Sequence, residues 1–197
     1  MKRTVIAVVI AFLGITLVFA QTKEWKLDRA HSSITFTVKH MVISEVTGRF
    51  DDFAMTLTSS KEDFTDAAVE GTIKVDSIDS GNPNRDRHLK TDDFFNAQKY
   101  PEIKFKSSSV VKVSDNNYKI NGDLTIRDVT KQVAWDAVLN GTLKTSRGTR
   151  VAWKATLAIN RFDYGVKWDR LTETGGLVAG DIVTITILGE FVNASGT

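Results

Sequence analysis

Ile34-Thr35-Phe36-Thr37-Val38-Lys39 places an apolar side chain at every second position and a polar one between. A β-strand is the regular element with a side-chain period of two, so one face of this segment suits a core and the other suits water. The pattern returns seven times. Phe53, Met55 and Leu57 alternate with Ala54, Thr56 and Thr58, and Val69, Gly71, Ile73 and Val75 alternate with Glu70, Thr72, Lys74 and Asp76. Ile103 and Phe105 stand between Glu102, Lys104 and Lys106, and Tyr118 and Ile120 lead into Leu124 and Ile126. The sets Val133-Trp135-Ala137-Leu139, Trp153-Ala155-Leu157-Ile159 and Val183-Ile185-Ile187 complete eight strands, with Trp25-Lys26-Leu27 as a short lead-in. Ser114-Asp115-Asn116-Asn117 and Arg127-Asp128 join their neighbours too tightly for a helical crossover, which predicts antiparallel pairing. Eight antiparallel strands predict a closed barrel able to hold one small ligand.

The first twenty residues stand apart from this pattern. Lys2 and Arg3 precede an uncharged, largely apolar run over residues 5–19, and Val18-Phe19-Ala20 fits a signal-peptide cleavage site. The expected organisation is a cleaved leader, 1–20, and one domain, 21–197, exported to the periplasm or secreted. The competing reading is an uncleaved anchor, but the run is shorter than the ~20 apolar residues of a helical span. Without Lys2 and Arg3 the chain carries 24 basic and 24 acidic residues. That balance gives no basis for a nucleic-acid or anionic-membrane partner. The absence of cysteine excludes disulfides, thiolate metal sites and a Cys nucleophile.

Two connections are long, residues 77–101 and 160–180. In the first, Asn82 can cap a helix and Pro83 fits its first position; a second start is expected at Thr91, followed by Asp92 and Asp93. A short helical lid over one barrel mouth, about 82–96 and carrying Phe94 and Phe95, is one reading. An ordinary surface loop with a buried aromatic pair is the other.

His31 and His40 fall at opposite ends of a strand, and the chain has no H-x-H or H-x-x-x-H pair, so no metal site is expected. No G-x-S-x-G elbow appears, and the carboxylates of Asp51-Asp52 and Asp92-Asp93 are adjacent in sequence, where side chains diverge. Arg85, Asp86 and His88 form the densest polar cluster. It suits either a salt-bridged helix that pins the lid or contacts a polar head group, or an enzyme's machinery.

The run Trp25-x-Leu27-Asp28-x-x-His31-Ser32-x-Ile34-x-Phe36-x-Val38-x-His40-Met41, then Gly48-x-Phe50, opens a longer pattern. It continues in Arg85-Asp86-x-His88-Leu89-x-x-x-Asp93-Phe94-Phe95 and Tyr100-Pro101-x-Ile103-x-Phe105. Gly122-x-Leu124-Thr125-Ile126, Thr130-Lys131-x-Val133, Arg161-Phe162, Gly165 and Gly180-Asp181-x-Val183-x-Ile185 complete it. Over residues 24–191 the chain resembles the YceI-like, polyisoprenoid-binding proteins. That resemblance implies an eight-stranded lipocalin-like barrel outside the cytoplasm, a long isoprenoid or similar amphiphile in an elongated pore, and a homodimer. One departure is Arg127-Asp128, where the family often has Gly.

The resulting expectation is an all-β carrier, storage or scavenging protein for an amphiphilic lipid. It needs no catalytic residue, no metal and no cofactor beyond the lipid, and makes no stable membrane insertion. Phe36, Val38, Phe50, Met55, Ile73, Phe94, Phe105, Leu124, Trp135 and Trp153 are the pocket candidates, although alternation alone does not separate a cavity wall from packed core. Arg85, Asp86, His88 and Arg161 are the candidates for the head group or lid. Turnover of a lipid by Arg85, Asp86 and His88 is the alternative. A filled structural sandwich and an outer-membrane barrel are further rivals; several strands look shorter than the 9–11 residues a membrane strand needs.

Overall fold

Each of the eight alternating segments becomes part of a different stave of a closed antiparallel barrel. The computed structural model describes residues 22–146 and 148–194; the expected leader and its cleavage point lie outside them. Three staves are broken in two. β1 (Lys23–Leu27) runs on into β2 (Ser33–His40), β3 (Ser44–Phe50) into β4 (Phe53–Ser59), and β5 (Ala68–Lys74) into β6 (Ile78–Asp79). The other five are β7 (Glu102–Lys112), β8 (Asn117–Ile126), β9 (Val129–Thr145), β10 (Gly148–Asn160) and β11 (Ala179–Asn193). Consecutive staves pair antiparallel around the ring, and β11 closes it against β2 and β1.

The three breaks lie side by side. At the first, Asp28 caps a single 3₁₀ turn by accepting from Ala30 N (3.1 Å), and Ser32 Oγ donates to Asp28 O (2.7 Å) while accepting from Glu190 N (3.0 Å). Arg29 crosses to the second break, donating to Asp51 O (2.8 Å), and Asp51 N donates to Ser77 O at the third (3.1 Å). The Asp28-x-x-His31-Ser32 motif thus builds the bend that keeps one stave on β11. Arg150 Nη1 bridges Asp28 (2.9 Å) and Glu190 (2.5 Å). Hydrogen bonds from Arg150 and then His31 hold the Asp28 carboxyl down at about 2. A depressed carboxylate contributes stability that is complete above its unfolded value of ~3.9 and lost as pH falls through its folded one. Stability is therefore expected to fall between about pH 4 and pH 2, and Asp28→Asn to flatten that limb in acid denaturation curves. An unchanged limb would remove Asp28 from this role.

Two expectations need correction. β3 carries no obvious alternating run because Gly48 sits at its centre. A β-carbon there would stand 2.3 Å from Phe36 Cζ, so the aromatic ring of β2 fills the space a β3 side chain would take. The strands are also longer than their apolar runs suggest, with 17 residues in β9 and 15 in β11. Length is therefore no argument against a membrane barrel. The outward faces supply one instead: Lys74 and Lys104 pair with Glu102, Lys106 with Glu70 and Lys119 with Asp136, charges that a lipid-facing band disfavours. No helix among the described residues is long and apolar enough to cross a membrane.

The two ends of the barrel are closed differently. At one end, helix α1 (Pro83–Leu89) begins as its sequence predicts, with Asn82 accepting from Asn84 N (3.0 Å) and Arg85 N (3.2 Å). The second expected start does not propagate. Residues 91–99 form successive turns, and Asn96 takes a φ of 50°, which stops a helix. Asp92, expected at a helix start, instead accepts from Arg127 Nη2 (2.7 Å). Arg127 also reaches the carbonyls of Phe94 (2.8 Å) and Gly165 (2.9 Å). Its φ of 56° explains why glycine suits this hairpin turn; here the side chain's bonds to two loops offset the backbone cost. At the other end Phe64, 2 % exposed, plugs the barrel against Trp25 and Trp153, ring centroids 5.2 and 5.4 Å away.

Candidate functional site

The barrel is hollow, which removes the filled-sandwich reading. A chamber of about 130 Å³ lies toward the Phe64 plug, and one of about 440 Å³ lies beneath α1. Phe50, Ile103, Ile126 and Ile185 belong to both walls, so the two chambers abut along one axis. All ten apolar candidates face one or the other. Met55, Ile73, Phe105, Leu124, Trp135 and Trp153 line the lower chamber, Phe36, Val38 and Phe94 the upper, and Phe50 both. An unfilled apolar void of the lower chamber's size costs roughly 3 kcal/mol at ~24 cal/mol per Å³.

The four polar candidates separate. Arg85, His88 and Arg161 line the upper chamber, whereas Asp86 turns away from it. Asp86 accepts from Ser80 N (2.9 Å) and Ser80 Oγ (2.5 Å), while Arg85 donates to that same Oγ (2.7 Å) and to Ser80 O (2.7 Å). Asp86 is thus a lid-anchoring residue. Arg85 keeps Nη1 without a partner among the described residues. His88 bonds to Asp93 (2.6 Å) rather than Asp86 and presents its ring edge-on to Phe94 and Trp168. The supposed cluster of Arg85, Asp86 and His88 therefore does not converge on one point.

Arg161 is 5 % exposed and has no carboxylate ion-pair partner among the described residues. It donates to Gly180 O (2.8 Å), Val166 O (2.8 Å) and Ala179 O (2.9 Å), and its guanidinium lies over Phe162. Burial pulls its pKa below the ordinary arginine value, against the opposing pull of Asp181 and Asp169. Tyr164, an aromatic residue that was not among the pocket or head-group candidates, also lines this chamber and is 2 % exposed; burial pushes its hydroxyl up to about 12. That hydroxyl finds no hydrogen-bond partner among the described residues. The aromatic character of Tyr164 marks it in the sequence as core or cavity wall, and alternation does not separate the two. Lys39, His40 and Asn84 also line the chamber, with Lys39 paired to Glu45 (3.2 Å), and no Asp or Glu lines it among the described residues.

One cluster elsewhere resembles a cation site. Asp28, His31 and Glu190 bring ligand atoms within 4.8 Å of one another. Arg150 already bridges both carboxylates, so the charge a cation would neutralise is paired within the chain.

A closed antiparallel barrel with an apolar interior, a helical lid and a cationic upper wall defines a class of protein that takes a ligand inside itself. Within that class the chain belongs to the YceI-like family, whose YceI-like domain model matches residues 25–191. It is 36 % identical over 170 residues to the UPF0312 protein SA2479 of Staphylococcus aureus (strain N315), covering 85 % of this chain and 96 % of that one. Among solved structures, the Campylobacter jejuni YCEI protein superimposes with a TM-score of 0.67 at 29 % identity, covering 88 % of this chain and 99 % of that one. Burkholderia cenocepacia BcnA shares the fold, with a TM-score of 0.74 at 22 % identity over 84 % and 99 % of the two chains. So does a polyisoprenoid binding domain from Saccharophagus degradans, with a TM-score of 0.61 at 15 % identity over 89 % and 100 %.

Proposed function

We propose that this protein holds a single-chain amphiphile with an anionic head, an isoprenoid phosphate or a chemically similar lipid, and carries or stores it outside the cytoplasm. The observation that carries this reading is the division of the interior. The lower chamber offers apolar side chains in its depth, and the upper one brings Arg85 and Arg161 to one wall with no Asp or Glu among the described residues that line it, while Lys39 at the rim is paired with Glu45 (3.2 Å). A buried tail gains ~0.8 kcal/mol per CH₂, so the tail sets most of the affinity. The head sits where unneutralised guanidinium and a partnerless tyrosine hydroxyl await an acceptor. The S. degradans neighbour, named for polyisoprenoid binding, supports a hydrocarbon tail. The leader over residues 1–20 supports export, and a homodimer is consistent with the family resemblance.

Binding rather than catalysis fits the polar groups. Asp86 is consumed by Ser80, and His88 is paired with Asp93. No step requires a cofactor or metal.

Arg85→Ala is the test, made on protein from the native compartment that begins at Gln21 by N-terminal sequencing. A charge-assisted hydrogen bond is worth ~1.5–3 kcal/mol. The variant is expected to weaken binding of a phosphorylated isoprenoid alcohol about ten- to a hundredfold and leave the uncharged alcohol's affinity unchanged. Equal loss for both ligands would make Arg85 a lid anchor through Ser80. No loss for either would take it out of the site.

A further inference from the structure

The hairpin between β2 and β3 is built in an unusual way. Its tip is Met41-Val42-Ile43, three apolar residues that all face solvent, with Ile43 89 % exposed. Met41 and Val42 both take positive φ, 51° and 69°. A β-branched residue in that region is strained, and polar or glycine residues would relieve it. The strain holds three side chains outward at the barrel's lid end. Met41 N donates to Val178 O (2.9 Å), which ties the tip to the 171–178 loop. Val42 lies so close over Gly176 that a β-carbon there would meet it at 2.7 Å. The same loop exposes Leu171 (59 %), and Ile182, also exposed, follows where β11 bulges against β2.

This apolar rim is continuous with the upper chamber. Val38, Lys39 and His40 lead directly into the tip, Val178 and Ala179 flank its partner loop, and all five line the chamber. Charges on these segments nearly cancel, with Lys39, Lys167 and Arg170 against Glu45, Asp169, Glu173 and Asp181. Nothing in that balance draws the rim to an anionic surface, so its attraction must be hydrophobic.

We infer that the Met41-Val42-Ile43 tip, with Leu171 and Ile182, is a bilayer-docking rim that dips into the interfacial layer of a membrane and places the upper chamber against its lipid source. The inference rests on the lipid-binding reading above, and it adds where the ligand enters. Docking there would let a tail pass from bilayer to barrel without crossing water. The outward charge pairs of the staves keep the rest of the barrel outside the hydrocarbon.

Ile43→Ser/Leu171→Ser tests it, since both side chains are mostly in solvent and their loss leaves the fold intact. Three quantities are measured: partition onto phosphatidylcholine vesicles, the rate of uptake of a phosphorylated isoprenoid alcohol from those vesicles, and affinity for the same ligand dispersed without vesicles. The native protein is expected to partition onto the vesicles equally at low and high salt. The double variant is expected to partition at least tenfold more weakly and take up lipid correspondingly more slowly, with unchanged affinity for dispersed ligand. Failure of the native protein to partition would overturn the docking rim, and so would partition that high salt abolishes. Loss of affinity for dispersed ligand would instead place these residues in the binding site. A drop in oligomeric state on sedimentation, with vesicle binding unchanged, would assign the rim to contact with a second copy and overturn the inference.

Discussion

Gly71→Leu is expected to stabilise the empty barrel and to weaken ligand binding about a hundredfold, an opposition of sign that a packing defect does not produce. Gly71 lies on β5 between inward-facing Val69 and Ile73, opposite Met55 and Phe105. A β-carbon there meets only Met55 Cγ at 3.6 Å and Ala54 O at 3.9 Å, ordinary contacts, and the side chain beyond it enters the lower chamber. Filling most of that void recovers part of the roughly 3 kcal/mol it costs, and replacing a strand glycine helps further. The four added carbons displace about as many carbons of a tail, which at ~0.8 kcal/mol each is about 3 kcal/mol, or two decades in Kd. Urea denaturation and titration with the phosphorylated isoprenoid and its alcohol read both effects, and the two ligands should lose equally. If affinity for both is unchanged, the tail does not occupy the lower chamber. If the variant is strongly destabilised, the chamber is not the open space described.

Arg161→Ala is expected to destabilise the protein by about 3–5 kcal/mol, because three carbonyls lose their donor at once and each buried unpaired group costs about 1–3 kcal/mol. Those carbonyls, on Val166, Ala179 and Gly180, are where the loop after β10 returns to β11, so their loss loosens the wall of the upper chamber. For a domain of this size that corresponds to a fall in Tm on the order of 10 °C. Arg161→Lys is expected to recover less than half, since one ammonium does not span three carbonyls set by a planar fork. Calorimetry measures this directly. A loss below 1 kcal/mol for the alanine variant would show that water replaces the guanidinium freely and that Arg161 has no structural role. Unlike in Arg85→Ala, binding of the uncharged alcohol should fall too as the chamber wall loosens, and the phosphorylated ligand should lose more because a head-group cation is gone as well.

Much of this architecture is local in origin. Alternation with period two places one segment on each of the eight staves, and the short polar turns at 114–117 and 127–128 make their strands adjacent and antiparallel. Asn82 and Pro83 mark the start of α1 because capping depends on neighbours in sequence. The second start at Thr91 has the same local signals, yet Asn96 reverses the backbone and Arg127, from a distant hairpin, takes Asp92. β3 escaped notice because its central inward position is Gly48, which is meaningful only once Phe36 of the paired strand is seen to fill the gap.

By itself, the sequence determined the period of the strands, the number of staves, their antiparallel order and the short helix, since each depends on residues a few positions apart. It also marked which residues are apolar enough to face inward. Only the tertiary structure decided that those residues surround space rather than each other, because packing is a sum over side chains from all eight staves and no periodicity reports whether it closes. The same holds for charge. Arg85, Asp86 and His88 look like one cluster along the chain, but Ser80 and Asp93 draw two of them apart, and Arg161 shares a chamber wall with Arg85 and His88 only because the closed ring of strands puts distant residues around one cavity.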